Sequence, residues 1–342
     1  MGRWSHALGR PVHGPLCLLC QSSARGPGPC GPGGPGDSGG PGGSPANAVE
    51  RVVGVPRRLD GSLQPARVLE PPGPIDGPAP LLVLLHTWSA DHTQRHEAFE
   101  QGALDRGWYV VVPEFGGPND DPQACGSDRA RSDVIEAVDW MRQSYAIDAS
   151  RVYLAGVSGG GHMALLLAGR APSPWAAVSA WVPPTDLVSW YALHSGDRYG
   201  AMLRAVTGGP PGLSEEVDRE YRERSPVHWL DGARGIPVEI SAGIRDGHEG
   251  SVPISHTLHA FNVLARANGG DPVTAEEITT LSRPDAPLDT RRPAVHDPDL
   301  GREVILRRRA GPARVTIFDG GHEGIGEAAL TWLESHRRAG GN

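Results

Sequence analysis

The chain has 342 residues, 38% of them apolar, and a net charge of −8 at neutral pH. That is enough apolar material for one large core, while the acidic balance argues against nucleic acid as the main partner, because neutralising phosphate needs a basic surface. No run of about 18 apolar residues exists to cross a membrane as a helix, and the fact that all 32 basic residues are arginine fits GC-rich coding better than any selected physical property.

In chain order, residues 1–47 come first and are dense in Gly and Pro. Such sequence raises the entropy cost of ordering and offers little to bury, so a disordered arm is expected there. Its one apolar stretch, Leu16-Cys17-Leu18-Leu19-Cys20, is too short for a signal-peptide core. The Cys17–Cys20 pair has only Cys30 nearby and no folded surroundings, so it is read as inert rather than as a zinc or redox site. Cys125 stands alone in the remainder, so no disulfide framework points to secretion, and a cytoplasmic location is the expectation.

From residue 48 to 342 a single domain is predicted. Val49–Val55 and Arg67–Leu69 read as first antiparallel strands. Buried-strand candidates follow at Leu81–Leu85, Val110–Val112, Val152–Ala155, Ala177–Trp181, Val238–Ala242 and Val315–Phe318. Between them, Ser132–Tyr145, Pro253–Ala267 and Gly326–His336 carry apolar residues at helical spacing. Alternating strands and helices predict an α/β fold, a mostly parallel, doubly wound sheet with helices on both faces. Residues 183–235 stand as an insertion between two core strands, and Gly270–Arg302, polar and Pro-rich, reads as an excursion over the surface.

The chemistry-bearing motif is Gly156-Val157-Ser158-Gly159-Gly160, set between the apolar run Val152–Ala155 and the helix-like stretch His162–Ala168. A strand, a sharp turn and a helix are what a nucleophile elbow requires. With 47 glycines, a G-x-S-x-G string arises by chance about 0.3–0.4 times in such a chain, so context decides. Gly36-Asp37-Ser38-Gly39-Gly40 also fits the string, but it lies in the Gly/Pro arm with no strand before it.

With this elbow, the Ser225-Pro226 pair, the Asp246 turn before Val252-Pro253 and the late His322, the sequence resembles the α/β-hydrolase superfamily. Within it the likeness is to the catalytic domain of prolyl oligopeptidases and dienelactone hydrolases, over about residues 75–336. The resemblance implies an α/β-hydrolase fold with a cap insertion and a triad in the order nucleophile, acid, base: Ser158, Asp246 and His322. It implies that Gly159 gives one oxyanion-hole N–H and that the second comes from His86-Thr87-Trp88-Ser89, at Thr87 or Trp88. Thr87 stands where the family has glycine. The family also separates its aspartate from Val-Pro by two residues, whereas five intervene here, which keeps Glu249 and Asp186 as rival acids.

His92 and His96 stand at an i, i+4 spacing that would put two imidazoles on one helix face, as a metal site would need. The glutamate of H-E-x-x-H and a third ligand are missing, so a solvated helix is expected and no metal or cofactor. Trp88, Trp190 and Tyr191 are candidates to line an acyl pocket, with packing of the insertion as the alternative. The function expected is a serine hydrolase cleaving a carboxylic ester of a small acyl substrate through an acyl-enzyme. A serine peptidase acting on short peptides is the first alternative, and a non-catalytic binding protein on the same fold the second.

Overall fold

In a computed structural model, which describes residues 48–284 and 295–338, two antiparallel strands open the fold, β1 (Val49–Pro56) and β2 (Leu63–Glu70). Next come β3 (Ala79–Leu85), α1 (Glu97–Asp105), β4 (Tyr109–Pro113), α2 (Asp128–Ser144), β5 (Ile147–Val157), α3 (Gly159–Arg170) and β6 (Ala177–Trp181). Three helices follow, α4 (Leu187–His194), α5 (Arg198–Thr207) and α6 (Glu215–Arg224), then β7 (Val238–Gly243) and α7 (Ile254–Ala267). The last elements are α8 (Ala275–Leu281), β8 (Val295–Asp297), β9 (Arg302–Ala310), β10 (Ala313–Phe318) and α9 (Gly326–Glu334). The arm expected over residues 1–47, with Cys17, Cys20, Cys30 and Ser38, lies outside the described residues.

The strands form one sheet in the order β1-β2-β4-β3-β5-β6-β7-β10-β9-β8. From β4 to β10 every pairing is parallel, and antiparallel strands close both edges. The centre is parallel because its strands are apolar throughout: all seven residues of β3 and all five of β6 are buried, as a sheet covered on both faces requires. Parallel strands then need helical crossovers. Local signals set those helices, as where the Ser127 hydroxyl caps α2 by accepting from Ala130 N–H at 3.0 Å.

All eight strands predicted from the sequence are present. Two more, β8 and β9, occupy the stretch beginning at Val295. The three consecutive arginines of β9 hide its strand character, yet Arg307 pairs with Asp297 and Arg308 with Glu277, each at 2.6 Å. The surface excursion expected over 270–302 carries regular elements of its own in its described part. It contains α8, started by a Thr274–Glu277 capping box, and it is pinned by Asn262, which bonds both Val273 N–H and Val273 C=O at 2.7 Å. Asp285-Ala286-Pro287 lies outside the described residues. No described helix is long and apolar enough to cross a membrane.

Candidate active site

The C-terminal ends of β3, β5, β7 and β10 carry the sequence-predicted site residues, which is where an open parallel sheet opens its crevice. At the end of β5, Ser158 sits at φ 55°, ψ −115°, a backbone region that costs a non-glycine residue on the order of 1–3 kcal/mol. Surrounding structure holds it there: Ser158 N–H donates to Trp181 C=O at 2.8 Å. The flanking glycines supply space. A Cβ on Gly156 would lie 2.3 Å from Gly160 C, and one on Gly160 would lie 2.3 Å from Leu85 O. The turn can be this sharp only because both side chains are absent.

The loop after β3 comes against the start of α3. A Cβ on Gly159 would lie 2.4 Å from the Trp88 nitrogen, so the Gly159 and Trp88 amides are neighbours. Thr87 N–H is already committed, donating to Gln94 Oε1 at 2.7 Å. Of the two amides that the sequence left open, Trp88 is the one beside the elbow and not already held by a side chain.

After β7 the chain turns through Gly243-Ile244-Arg245 into Asp246, whose carboxylate is buried. Both its oxygens stand 2.9 Å from His322 Nδ1. Asp246 Oδ1 also accepts from Gly247 N–H at 2.9 Å and Val252 N–H at 3.1 Å, so the carboxylate is fixed on one side and presented to the imidazole on the other. The His322 loop is held to β7 by Arg245 N–H donating to Gly320 C=O at 3.0 Å. It reaches β5 at Gly324, where a Cβ would meet Val157 Cγ2 at 2.5 Å. His322 keeps 24% of its side-chain surface exposed and Asp246 none, the contrast expected of a base that must reach substrate and an orienting acid that must not.

The rival acids are occupied elsewhere. Glu249 is exposed and lies 3.3 Å from Arg245. Asp186 caps α4, accepting from Val188 N–H at 3.0 Å and Ser189 N–H at 3.3 Å. The long spacer after Asp246 has its own structural use: Ser251 C=O accepts from Trp190 Nε1–H at 2.9 Å and faces His194 Nε2 at 2.8 Å, tying the acid loop to α4.

For Trp88 and Trp190, pocket lining and packing of the insertion are the two readings the sequence leaves open, and the structure shows their packing contacts. Both are buried, in edge-to-face contact at 4.6 Å, inside a second apolar cluster with Leu187, Leu203, Tyr221 and Val252. They pack the insertion onto the site loops because α4 turns Leu187 and Trp190 inward. Tyr191 is half-buried, its hydroxyl accepting from Arg204 at 3.2 Å. The expected helix through His92 and His96 is also absent: His92 lies in a turn and His96 is the residue before α1. His92 Nδ1 bonds Glu114, and Asp91, His92 and Glu114 bring potential ligand atoms within 4.8 Å of one another.

Sequence reasoning missed several residues that shape the site: Gln94, Arg67, Gly250 and His194. None stands in a spacing pattern that would have exposed it. The Ser225-Pro226 pair was visible, and its use is structural: Ser225 Oγ donates to Tyr221 C=O at 2.7 Å and accepts from Leu187 N–H at 2.9 Å. One turn into α3, His162 is fully buried beneath the insertion, and burial pushes its imidazole down to about 4, so it stays neutral, 2.7 Å from Arg224 C=O. Burial pushes the Cys125 thiol up to about 12, which removes it as a competing nucleophile.

Comparison with known proteins agrees with this architecture. Residues 123–275, from before α2 to the start of α8, match the model of the prolyl oligopeptidase family. A protein of Nocardia uniformis subsp. tsuyamanensis named "Putative esterase NocK" is 26% identical over 262 residues, 71% of this chain and 64% of its own length. The chain thus spans under two thirds of that relative. Among solved structures, an acylaminoacyl peptidase of Pyrococcus horikoshii superposes with a TM-score of 0.56 at 17% identity, over 66% of this chain and 36% of that one. The fluorophosphonate-binding serine hydrolase FphF of Staphylococcus aureus gives the same TM-score at 15% identity, over 84% of this chain and 99% of that one.

Proposed function

Taking as premise that the chain is an α/β-hydrolase of the prolyl-oligopeptidase-like kind, we propose that it cleaves carboxylic esters through an acyl-enzyme on Ser158. The observation that carries the reading is the bonded pair of Asp246 and His322 at the same sheet end as a serine held at a strained elbow. A strained turn of this kind raises the serine hydroxyl above the sheet.

In this mechanism His322 takes the Ser158 proton as Oγ attacks the ester carbonyl carbon, while Asp246 holds the Nδ1–H and stabilises the imidazolium. Negative charge developing on the carbonyl oxygen is met by Gly159 N–H and Trp88 N–H. Collapse breaks the bond to the alkoxide, which leaves with the proton from His322. Water, deprotonated by the same histidine, then attacks the acyl-enzyme and restores Ser158. An ester is favoured over an amide because the relative aligned over 71% of the chain is named as an esterase. The family match supports a peptidase as the second reading, with the same residues in the same roles.

A fluorophosphonate is expected to modify Ser158 and no other serine, as peptide mapping would show, and Ser158→Ala to lose turnover of p-nitrophenyl esters. Label on Ser38, or none on folded protein, would refute the reading. Faster cleavage of aminoacyl-proline amides than of any ester in the panel would replace it with the peptidase.

A further inference from the structure

We propose that Gln94 is a positioning residue for the oxyanion hole, fixing which amide of the loop after β3 is offered to the substrate. The inference rests on the acyl-transfer reading and adds a residue to it. This loop carries Thr87 at a corner where two successive amides, Thr87 N–H and Trp88 N–H, compete to face the elbow.

Gln94 decides between them by clamping Thr87 at two points. Its Oε1 accepts Thr87 N–H at 2.7 Å, and its Nε2–H donates to Thr87 Oγ1 at 3.0 Å. With that amide withdrawn, the next one remains. Its orientation is set from behind, since Thr87 C=O, the other end of the Thr87–Trp88 peptide, accepts from Ala90 N–H at 3.2 Å and lies 3.0 Å from His86 Nδ1. In a trans peptide the N–H points opposite the C=O, so these contacts turn Trp88 N–H away from them, with Gly159 as its neighbour.

Gln94 is itself held. Its backbone carbonyl accepts from Arg67 at 2.6 Å, and Arg67 also reaches His92 C=O at 3.2 Å. Arg67 is locked in turn by both oxygens of Glu100, at 2.9 and 2.6 Å, with the two side chains 3% and 5% exposed. A buried, bidentate pair is rigid and geometrically specific. Rigidity therefore passes from β2 and α1 through Gln94 into the loop. The Thr87 hydroxyl gives the side-chain amide its second anchor, an anchor that glycine at this corner would lack.

The test uses Gln94→Met, close in size but unable to clamp, beside Gln94→Glu, whose carboxylate can accept both Thr87 N–H and Thr87 O–H. An oxyanion-hole donor is worth 10²–10³ in kcat when removed, so misplacing one should cost about 10- to 100-fold. Gln94→Met is expected to lower kcat by that factor with KM within about threefold, and to weaken an arylboronate, which mimics the tetrahedral adduct, in proportion. Gln94→Glu should return kcat to within about fivefold of the parent. Should Gln94→Met fail to fold, Thr87→Val removes only the hydroxyl leg and should cost about three- to tenfold in kcat with a matching loss of boronate affinity. Unchanged boronate affinity in these variants, or a Gln94→Glu protein as impaired as Gln94→Met, would overturn the role of Gln94. Full activity in Ser158→Ala would instead overturn the acyl-transfer reading, so the two failures are told apart.

Discussion

Gly250→Ala should disable turnover while leaving the fold in place. Gly250 lies over the acid and base: a Cβ there would come 2.3 Å from Asp246 Oδ1 and 2.6 Å from His322 Cβ. Real Cβ atoms essentially never approach below 3.0 Å, so one or both groups must give way by at least about 0.7 Å. Neither can do so freely, since Asp246 Oδ1 is bonded by Gly247 and Val252 amides and the His322 atom is Cβ itself, set by the backbone. The effect is one of space, because Gly250 is not among the glycines with positive φ. A misplacement of about 1 Å in a catalytic group costs on the order of 10²-fold, which is the expected fall in kcat for p-nitrophenyl ester hydrolysis. Gly321→Ala is the control, one residue from His322, with nothing within 4 Å of its added Cβ and no positive φ; it should stay within about threefold. Equal activity of the two variants would refute the geometry from which the argument starts.

Asp246→Asn should keep the fold and cost on the order of 10³–10⁴ in kcat, since the amide favours the wrong imidazole tautomer and cannot stabilise the imidazolium; Glu249→Gln and Asp186→Asn should cost tenfold or less, and a crippling Glu249 change would move the acid. Stability should fall as pH drops below about 6.5: burial holds both His162 and His256 down to about 4, against an ordinary value of about 6.5. A depressed folded value means that their contribution is complete above about pH 6.5 and is lost as pH drops toward 4, at up to about 3 kcal/mol for each group. Urea unfolding at pH 7.5, 6 and 4.5 checks it, and a midpoint that does not move over that range would contradict the neutral, buried assignment.

What the sequence made legible follows from how each feature is encoded. Strands such as Leu81–Leu85 and Ala177–Trp181 lie in the middle of a parallel sheet, where burial on both faces writes a continuous apolar run. β9, next to the short edge strand β8, is half exposed and takes three arginines in succession, so no run marks it. The elbow was readable because its glycines are demanded by local backbone contacts, Gly156 against Gly160. Gly250 and Gln94 answer to residues 72 and 7 positions away, at His322 and Thr87, and only the fold reveals those demands. Trp88, after a buried strand, and Trp190, in the insertion, illustrate the converse: an aromatic reads the same in the sequence whether it faces a ligand or the interior, and only the fold shows both to be buried.

The lengthened loop after Asp246 joins two parts of the molecule that the sequence presents separately. Val252 belongs to the apolar cluster that joins the insertion to Trp88 and Cys125, and its amide is one of the two that fix Asp246 Oδ1. The preceding residue, Ser251, offers its carbonyl to Trp190 and His194 of α4. Lifting α4 away would therefore break two polar contacts, pull Val252 from its apolar surroundings and cost Asp246 Oδ1 one of the two amides that hold it. Close-packed interiors transmit such displacements instead of absorbing them. If Asp246 is the acid of the proposed mechanism, the insertion braces it: the five-residue spacer reaches α4 at Ser251 and passes the Asp246–His322 pair at Gly250, where an added Cβ would lie 2.3 Å from Asp246 Oδ1.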